Sequence, residues 1–324
     1  MKKSVILKKV LKMTDNLKIK VSSGTQGVLG LSNINQKYPP TACYLLLGNK
    51  CDNSCSFCTQ NSDNFSLSRI KWSEYDLYQI VKIIKKNEIL FDRICIQTTN
   101  YKDLSKDLLT CLILLKNNLS IPVSLSTSIT EPSFIQKAFE SGIDNYNIPL
   151  DAATSSLFHL HKKRSWKDIW DTFNNFKNSS CKFSTHLIVG LGETEKEFYN
   201  ALNKLNDLNI TASLFAFTPL KNTPLEKKPP PDIQYYRRTQ LLNFILTNNI
   251  NIGHTLEKGK IRFKTTINEL LKIKNINNVF STLGCKGCNR PYFNERPGKV
   301  IYNFPRNIIK SQDLLAELTG IMEY

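Results

Sequence analysis

The stretch CYLLLGNKCDNSCSFCTQ, Cys43 to Gln60, joins the two features on which the rest of the reading turns. Its first five residues are a short apolar run stopped by Gly48, the pattern of a buried strand. Cys51, Cys55 and Cys58 follow at once, spaced C-x3-C-x2-C, and the run of cysteines then stops. A structural zinc site closes with four ligands. An iron–sulfur cube held by three thiolates leaves one iron open, and an open iron can hold a small chelating molecule.

Outward from that stretch the chain alternates. Strand-like runs at 43–47, 91–98, 121–127, 143–150, 182–190 and 210–218 are separated by helical patterns at 73–87, 104–118, 131–142, 165–178 and 193–209. A last helix runs from about Ile233 to Asn249 after the Pro-rich TPLEKKPPPD. Six βα units with short connections predict an α/β fold, a parallel sheet closed into a TIM-like (βα)6 barrel or left as an open arc. The three-cysteine loop then falls at the C-terminal end of the first strand, where parallel α/β folds build their sites. Residues 1–40 read as an irregular or partly helical lead-in, 41–255 as the barrel core, and 256–324 as a small C-terminal extension containing a helix near 264–274.

Composition sets the outer limits. The 324 residues are 41% hydrophobic, enough for a sizeable core, and no apolar run approaches membrane-spanning length. The N-terminal MKKSVILKKVLKM lacks a continuous apolar segment and a small-residue cleavage site, so no signal peptide is expected. Nine cysteines, clustered rather than paired, predict reduced metal ligands and a cytoplasmic setting. The net charge of +17 favours acidic partners, but its lysines are spread without an aromatic-interleaved stripe, so nucleic acid is not the expected partner.

Cys51, Cys55 and Cys58, with Phe57 before the last of them, resemble the signature of the radical S-adenosylmethionine superfamily. That resemblance implies a 4Fe-4S cluster whose open iron binds S-adenosylmethionine, and reductive cleavage to a 5'-deoxyadenosyl radical that abstracts hydrogen from an unactivated carbon. It implies cofactor contacts from Phe57 and from Gly190 and Gly192 in LIVGLGET. Where the superfamily often has Gly-Gly-Glu this chain reads QTTN, so the usual carboxylate is absent and Gln97 or Thr98 is the expected acceptor. Ser126 and Thr127 at the third strand end, Asn147 and Asp151 at the end of the fourth, and Arg164 complete the expected cofactor set. Asp151 is the preferred ribose contact, because a carboxylate accepts from both hydroxyls. No conventional acid or base is expected.

Cys285 and Cys288 form a second hook, C-x2-C, which on spacing alone chelates zinc or iron–sulfur and needs partners. Cys43 at the barrel entrance is the expected third ligand of an auxiliary cluster, expected to be 4Fe-4S. Cys95 and Cys181 on or near strands suggest the strand-borne set of biotin synthase, but no cysteine stands on the third strand to complete it. The segment GCKGCNRPYFNERPG, with SSGTQGVLGL, resembles one subunit of the two-protein lipoyl synthase. This implies sulfur insertion at C6 or C8 of an octanoyl chain, with sulfur drawn from the auxiliary cluster. Arg290, Asn294 and Arg296 are the expected cluster or substrate neighbours. The implied partners are an octanoylated lipoyl-domain or glycine-cleavage H-type carrier, a second radical subunit, and a ferredoxin or flavodoxin electron donor. A biotin-synthase-like enzyme acting on a small molecule is the alternative, and a non-enzymatic iron–sulfur or zinc scaffold the alternative of another class.

Overall fold

The computed structural model describes residues 17–60, 70–294 and 300–322. The chain opens with β1 (Lys18–Ser22) and the short α1 (Ser23–Val28), capped by the Ser22 side chain. It continues through β2 (Ala42–Leu47), β3 (Trp72–Asp76), α2 (Leu77–Lys86), β4 (Arg93–Thr98), α3 (Leu104–Asn118), β5 (Val123–Ser126) and α4 (Pro132–Glu140). Next come β6 (Asn145–Asn147), α5 (Ser155–His161), α6 (Trp166–Phe176), β7 (Phe183–Val189), α7 (Glu195–Asp207), β8 (Thr211–Ala216) and α8 (Ile233–Thr247).

The sheet has eight strands in the order β3-β1-β2-β4-β5-β6-β7-β8. From β2 to β8 every pairing is parallel and in chain order, the arrangement that right-handed helical crossovers produce. The arc is open, with β8 at one edge and the antiparallel pair β1–β3 extending the other beyond β2. The six expected strands are therefore the parallel set, and the sheet is a partial barrel.

Two expected elements differ. The helix expected from Ser73 starts at Leu77, with Asp76 as its cap, because Trp72–Asp76 pairs along its whole length with Lys18–Ser22. The expected helix at 264–274 is preceded by a hairpin, β9 (Gly253–Glu257) and β10 (Lys260–Lys264). Lys258 and Gly259, both at positive φ, make its two-residue turn. Only Ile267–Leu271 (α9) is helical there, started by a Thr266–Glu269 capping box.

Helices pack on the outer face of the arc, where Leu45, Leu47, Ile94 and Ile96 meet Leu77, Ile80, Leu108 and Leu112 in one buried core. The inner face is different in kind: Tyr44, Ser124, Ser126, Asn147 and Ser213 are buried there around a polar interior. Both faces of the sheet are thus covered, so β2 reads as a continuous apolar run rather than an alternating one. The extension continues through the short α10 (Arg290–Asn294) to α11 (Ser311–Met322), which joins α8 and α9 in a second core of Leu241, Phe244, Leu270, Phe280, Leu314 and Leu318. Arg237, fully buried on α8, ties the tail down by donating to the carbonyls of Ile301 and Tyr302 and pairing with Glu317.

Candidate functional site

The loop from Cys51 to Cys58 leaves the C-terminal end of β2 and is fixed on three sides. Cys51 N donates to Gln60 O at 2.8 Å, Asp52 N to Asn100 O at 2.8 Å, and Ser56 N to His161 O at 3.0 Å. Asn100 N also points at Cys51 Sγ, 3.3 Å away. Burial raises the Cys55 thiol to about 11 and the Cys58 thiol to about 12. Neighbouring thiols add to both shifts, Cys51 at Cys55 and both Cys55 and Cys51 at Cys58, so the three converge. None is in a disulfide.

His161, which sequence reasoning missed, locks this loop to the β7 turn. Leu191 O can only accept, so the Nε2 atom 3.3 Å from it carries the proton. Nδ1, 2.7 Å from Ser56 Oγ, then accepts from that hydroxyl. The turn itself has Gly190 and Gly192 at positive φ, 100° and 134°, with Glu193 accepting from both their amides. A side chain at either glycine would meet Pro231 or Leu157, so the immediate need for glycine there is the turn.

A cavity over the loop is lined by Phe57, Cys58, Gln97, Asp151, His186 and Arg290, among others. Asp151 sits at φ 64°, held by Asp151 N donating to His186 O and Ile188 N donating to Asp151 O. Its Oδ2 is 2.6 Å from Lys162 Nζ, a buried pair. Arg164 lies further back, donating to Ser128 O, with burial lowering its pKa and Cys55 countering that shift.

Behind this cavity a second chamber lies within the arc, lined by Cys95, Cys285 and Cys288 together with Tyr44, Arg93, Ser126, Asn147 and His186. The thiol of Cys95 is raised to about 12 by burial first, then by Cys288 and Cys285. Cys285 is likewise raised by burial and by Cys288. The hook is clamped in place: Asn289 N donates to the Tyr44 hydroxyl at 3.0 Å, and that hydroxyl lies 3.8 Å from Cys288 Sγ. Asn145 Nδ2 reaches Cys285 Sγ at 3.4 Å, and Thr41 Oγ1 donates to Gly287 O at 3.1 Å. Gly287, at φ 77°, has no room for a Cβ, which would stand 2.9 Å from Asp92.

Cys43 is not in this set. It packs with Leu45 and Leu47 in the outer core, whereas Ala42, Tyr44 and Leu46 share the inner face with Cys95. Successive strand residues face opposite sides, so Cys43 points away from the hook and its register neighbour set supplies Cys95 instead. The other expected residues divide between the two chambers. Ser126 and Asn147 are hydrogen-bonded to each other and line the inner chamber, not the loop cavity. Thr127 is buried and accepts from Thr98 Oγ1. Gln97, His186 and Arg290 border both spaces. Asn294 ends α10, while its side chain and Arg296 lie outside the described residues. Burial lowers the pKa of Arg290, countered by Tyr44, Cys95 and Cys288, and burial brings His186 down to about 4.

Among the described residues no group of three or more His, Cys, Asp or Glu side chains is set to hold a single metal ion. Ligands of a cluster each bind a different iron and stand further apart than ligands of one ion. Two groups of three converging cysteines, neither in a disulfide, fit that donor set. Among the described residues, no helix is long and apolar enough to cross a membrane.

The fold is an open parallel α/β arc with a cysteine loop at the C-terminal end of its first parallel strand. Residues 45–205 match the family model of the Radical SAM superfamily, which supports enzymatic activity of that kind and well supports membership of that superfamily. The chain is 22% identical over 239 residues to a biotin synthase of Ruthia magnifica subsp. Calyptogena magnifica, covering 71% of this chain and 72% of the relative. It is 28% identical over 213 residues to a biotin synthase of Clostridium acetobutylicum, covering 62% of this chain and 63% of the relative. The crystal structure of methylornithine synthase superposes with a TM-score of 0.53 at 15% identity, over 70% of this chain and 77% of that one, a likeness of fold.

Proposed function

We propose that this protein is a radical S-adenosylmethionine enzyme that inserts sulfur at an unactivated carbon of an aliphatic substrate, in the manner of a biotin-synthase-like enzyme. The observation that carries this reading is the second cysteine set. Cys95, Cys285 and Cys288 line a chamber that shares Gln97, His186 and Arg290 with the cavity over the radical loop. A carbon radical made in one space is therefore one wall away from a sulfur-bearing cluster in the other.

In this reading Cys51, Cys55 and Cys58 hold the 4Fe-4S cluster, which with S-adenosylmethionine supplies the hydrogen-abstracting radical. Phe57 and Gln97 line the cavity beside Cys58 and would seat the cofactor there. Lys162 holds one oxygen of Asp151, which leaves the carboxylate's other oxygen as the acceptor for a ribose hydroxyl. Arg164, next to Cys55 in the charge balance, suits a carboxylate of the cofactor. The inner thiols would hold the auxiliary cluster, and the low basicity of His186 keeps its imidazole in the dividing wall neutral at neutral pH.

The octanoyl chain of a lipoyl-carrier protein is our preferred substrate on the resemblance of the GCKGCNRPYFNERPG segment, and the biotin synthase relatives favour a free small molecule. Anaerobic incubation of the reconstituted protein with reductant and S-adenosylmethionine separates them. One arm receives an octanoylated carrier and candidate partner subunits, the other free aliphatic acceptors. Carrier mass gain by sulfur with 5'-deoxyadenosine supports the first reading. Sulfur in the free acceptor supports the second. 5'-Deoxyadenosine with sulfur in neither overturns sulfur insertion, and absence of 5'-deoxyadenosine from a cluster-loaded protein overturns the radical reading.

A further inference from the structure

A third cavity opens at the opposite end of the arc, among the N-terminal ends of the strands. It is lined by Arg93, Asp144 and Asn145, by Lys182 at the start of β7 and Thr211 of β8, and by Cys285 and Lys286 of the hook. Its empty space of about 1410 Å³ exceeds the about 760 Å³ over the radical loop. Arg93 and Cys285 line both this cleft and the inner chamber, so they stand at the boundary between the two. Arg93 is fixed there, donating to Asp144 at 2.6 Å and to Ser124 Oγ at 3.2 Å.

The charge of the cleft is one-sided. Arg93, Lys177, Lys182 and Lys286 line it against the single carboxylate of Asp144, which Arg93 already neutralises. A small anion is therefore drawn into a cleft whose inner end is a thiol. The proposed reaction gives up one sulfur per insertion, and the loop cavity is committed to cofactor and substrate. A sulfur atom entering from outside needs another way in.

We propose that this cleft is an intake site for hydrosulfide, which reaches Cys285 past Arg93, loses its proton to solvent and enters the cluster that the inner cysteines would hold as bridging sulfide, with no change in the oxidation state of sulfur. The inference rests on the sulfur-donor reading of Cys95, Cys285 and Cys288. The cleft separates supply from consumption: sulfur arrives at the N-terminal end of the strands and is used toward the C-terminal end.

The test uses two measurements on the full chain. In the metal-free, reduced protein, peptide mass mapping follows alkylation of Cys285 by iodoacetamide and by the anionic iodoacetate. Thr211→Trp and, as an independent plug, Lys182→Trp are expected to slow labelling of Cys285 about fivefold or more, with Cys55 unchanged. Lys182→Glu with Lys286→Glu lowers the iodoacetate-to-iodoacetamide ratio at Cys285. The second measurement replaces Cys51, Cys55 and Cys58 by Ala, then adds ferrous iron and sodium sulfide anaerobically. Growth of iron–sulfur absorbance reports the inner set alone. Both plugs are expected to slow it about fivefold or more, while Leu220→Trp in the loop cavity leaves it unchanged. Plugs that change neither rate, or slowing by Leu220→Trp instead, overturn the intake. If no absorbance grows in the loop-free protein, the sulfur-donor reading fails and the proposal with it, even where the labelling pattern shows the cleft to be open.

Discussion

The two cysteine sets of this molecule are built in opposite ways. Cys51, Cys55 and Cys58 come from one loop of eight residues, Cys51 to Cys58, fastened by backbone hydrogen bonds to Gln60, Asn100 and His161. Cys95, Cys285 and Cys288 come from a strand and a distant hook, brought together only when the tail folds under the arc and Asn289 bonds Tyr44. A local site survives as long as its loop does. An assembled site depends on the packing of everything between its parts.

The sharpest way to break the comparison is to disable the sets one at a time. Cys55→Ala is expected to abolish 5'-deoxyadenosine formation, a fall of more than about 100-fold given what even outer-shell changes cost a metal site. Iron retained by the inner set would remain visible by absorbance. Cys95→Ala is expected to leave 5'-deoxyadenosine formation within a few-fold and to lower sulfur transfer by about 100-fold or more. Cys43→Ala is the control that separates the faces of β2: it costs about 1 kcal/mol of stability by denaturant titration, with sulfur transfer intact. Loss of sulfur transfer in Cys43→Ala with none in Cys95→Ala would return Cys43 to the cluster.

The contrast also explains what could be read in the sequence. The radical loop and the six parallel strands rest on local spacing and alternation, and both are visible without a partner. The choice between Cys43 and Cys95 is not, because both faces of β2 are buried and its all-apolar run carries no sign of which side is inside. Ser73 and the apolar spacing over 73–87 read as a helix start, and only the edge offered by Lys18–Ser22 makes Trp72–Asp76 a strand. Ser126 and Asn147 stand at strand ends, as expected, but their mutual hydrogen bond turns them toward the inner chamber. His161 and His186 had no motif around them, and their positions come from the folded arc alone.

The wall between the two sites gives a smaller effect with a defined pH sign. Burial lowers His186 from its usual value to about 4, so the folded protein resists protonation that the unfolded chain accepts near 6.5. Its contribution is complete above about pH 6.5 and is lost as pH falls toward about 4. Between about pH 7.5 and about pH 5 this amounts to about 2 kcal/mol. Urea titrations at the two pH values should show His186→Phe losing less stability on acidification than the parent chain. Equal losses would mean that His186 is already solvated in the fold.

The smallest effect probes the joint on which only the assembled set depends. The Tyr44 hydroxyl accepts from Asn289 N at 3.0 Å, and Tyr44→Phe leaves that partly buried amide without its acceptor while keeping the ring. Such a loss costs about 1–2 kcal/mol. Because this anchor serves the hook and the radical loop is held by separate bonds, the cost should fall on one site. The inner set is expected to lose cluster to a chelator several-fold faster, with Cys95 and Cys288 becoming more reactive to alkylation. The loop cluster should exchange at the parent rate, since its own bonds to Gln60, Asn100 and His161 are untouched. Equal acceleration at both sites would show that the two share a common support, and the distinction between a local and an assembled site would then be one of sequence only.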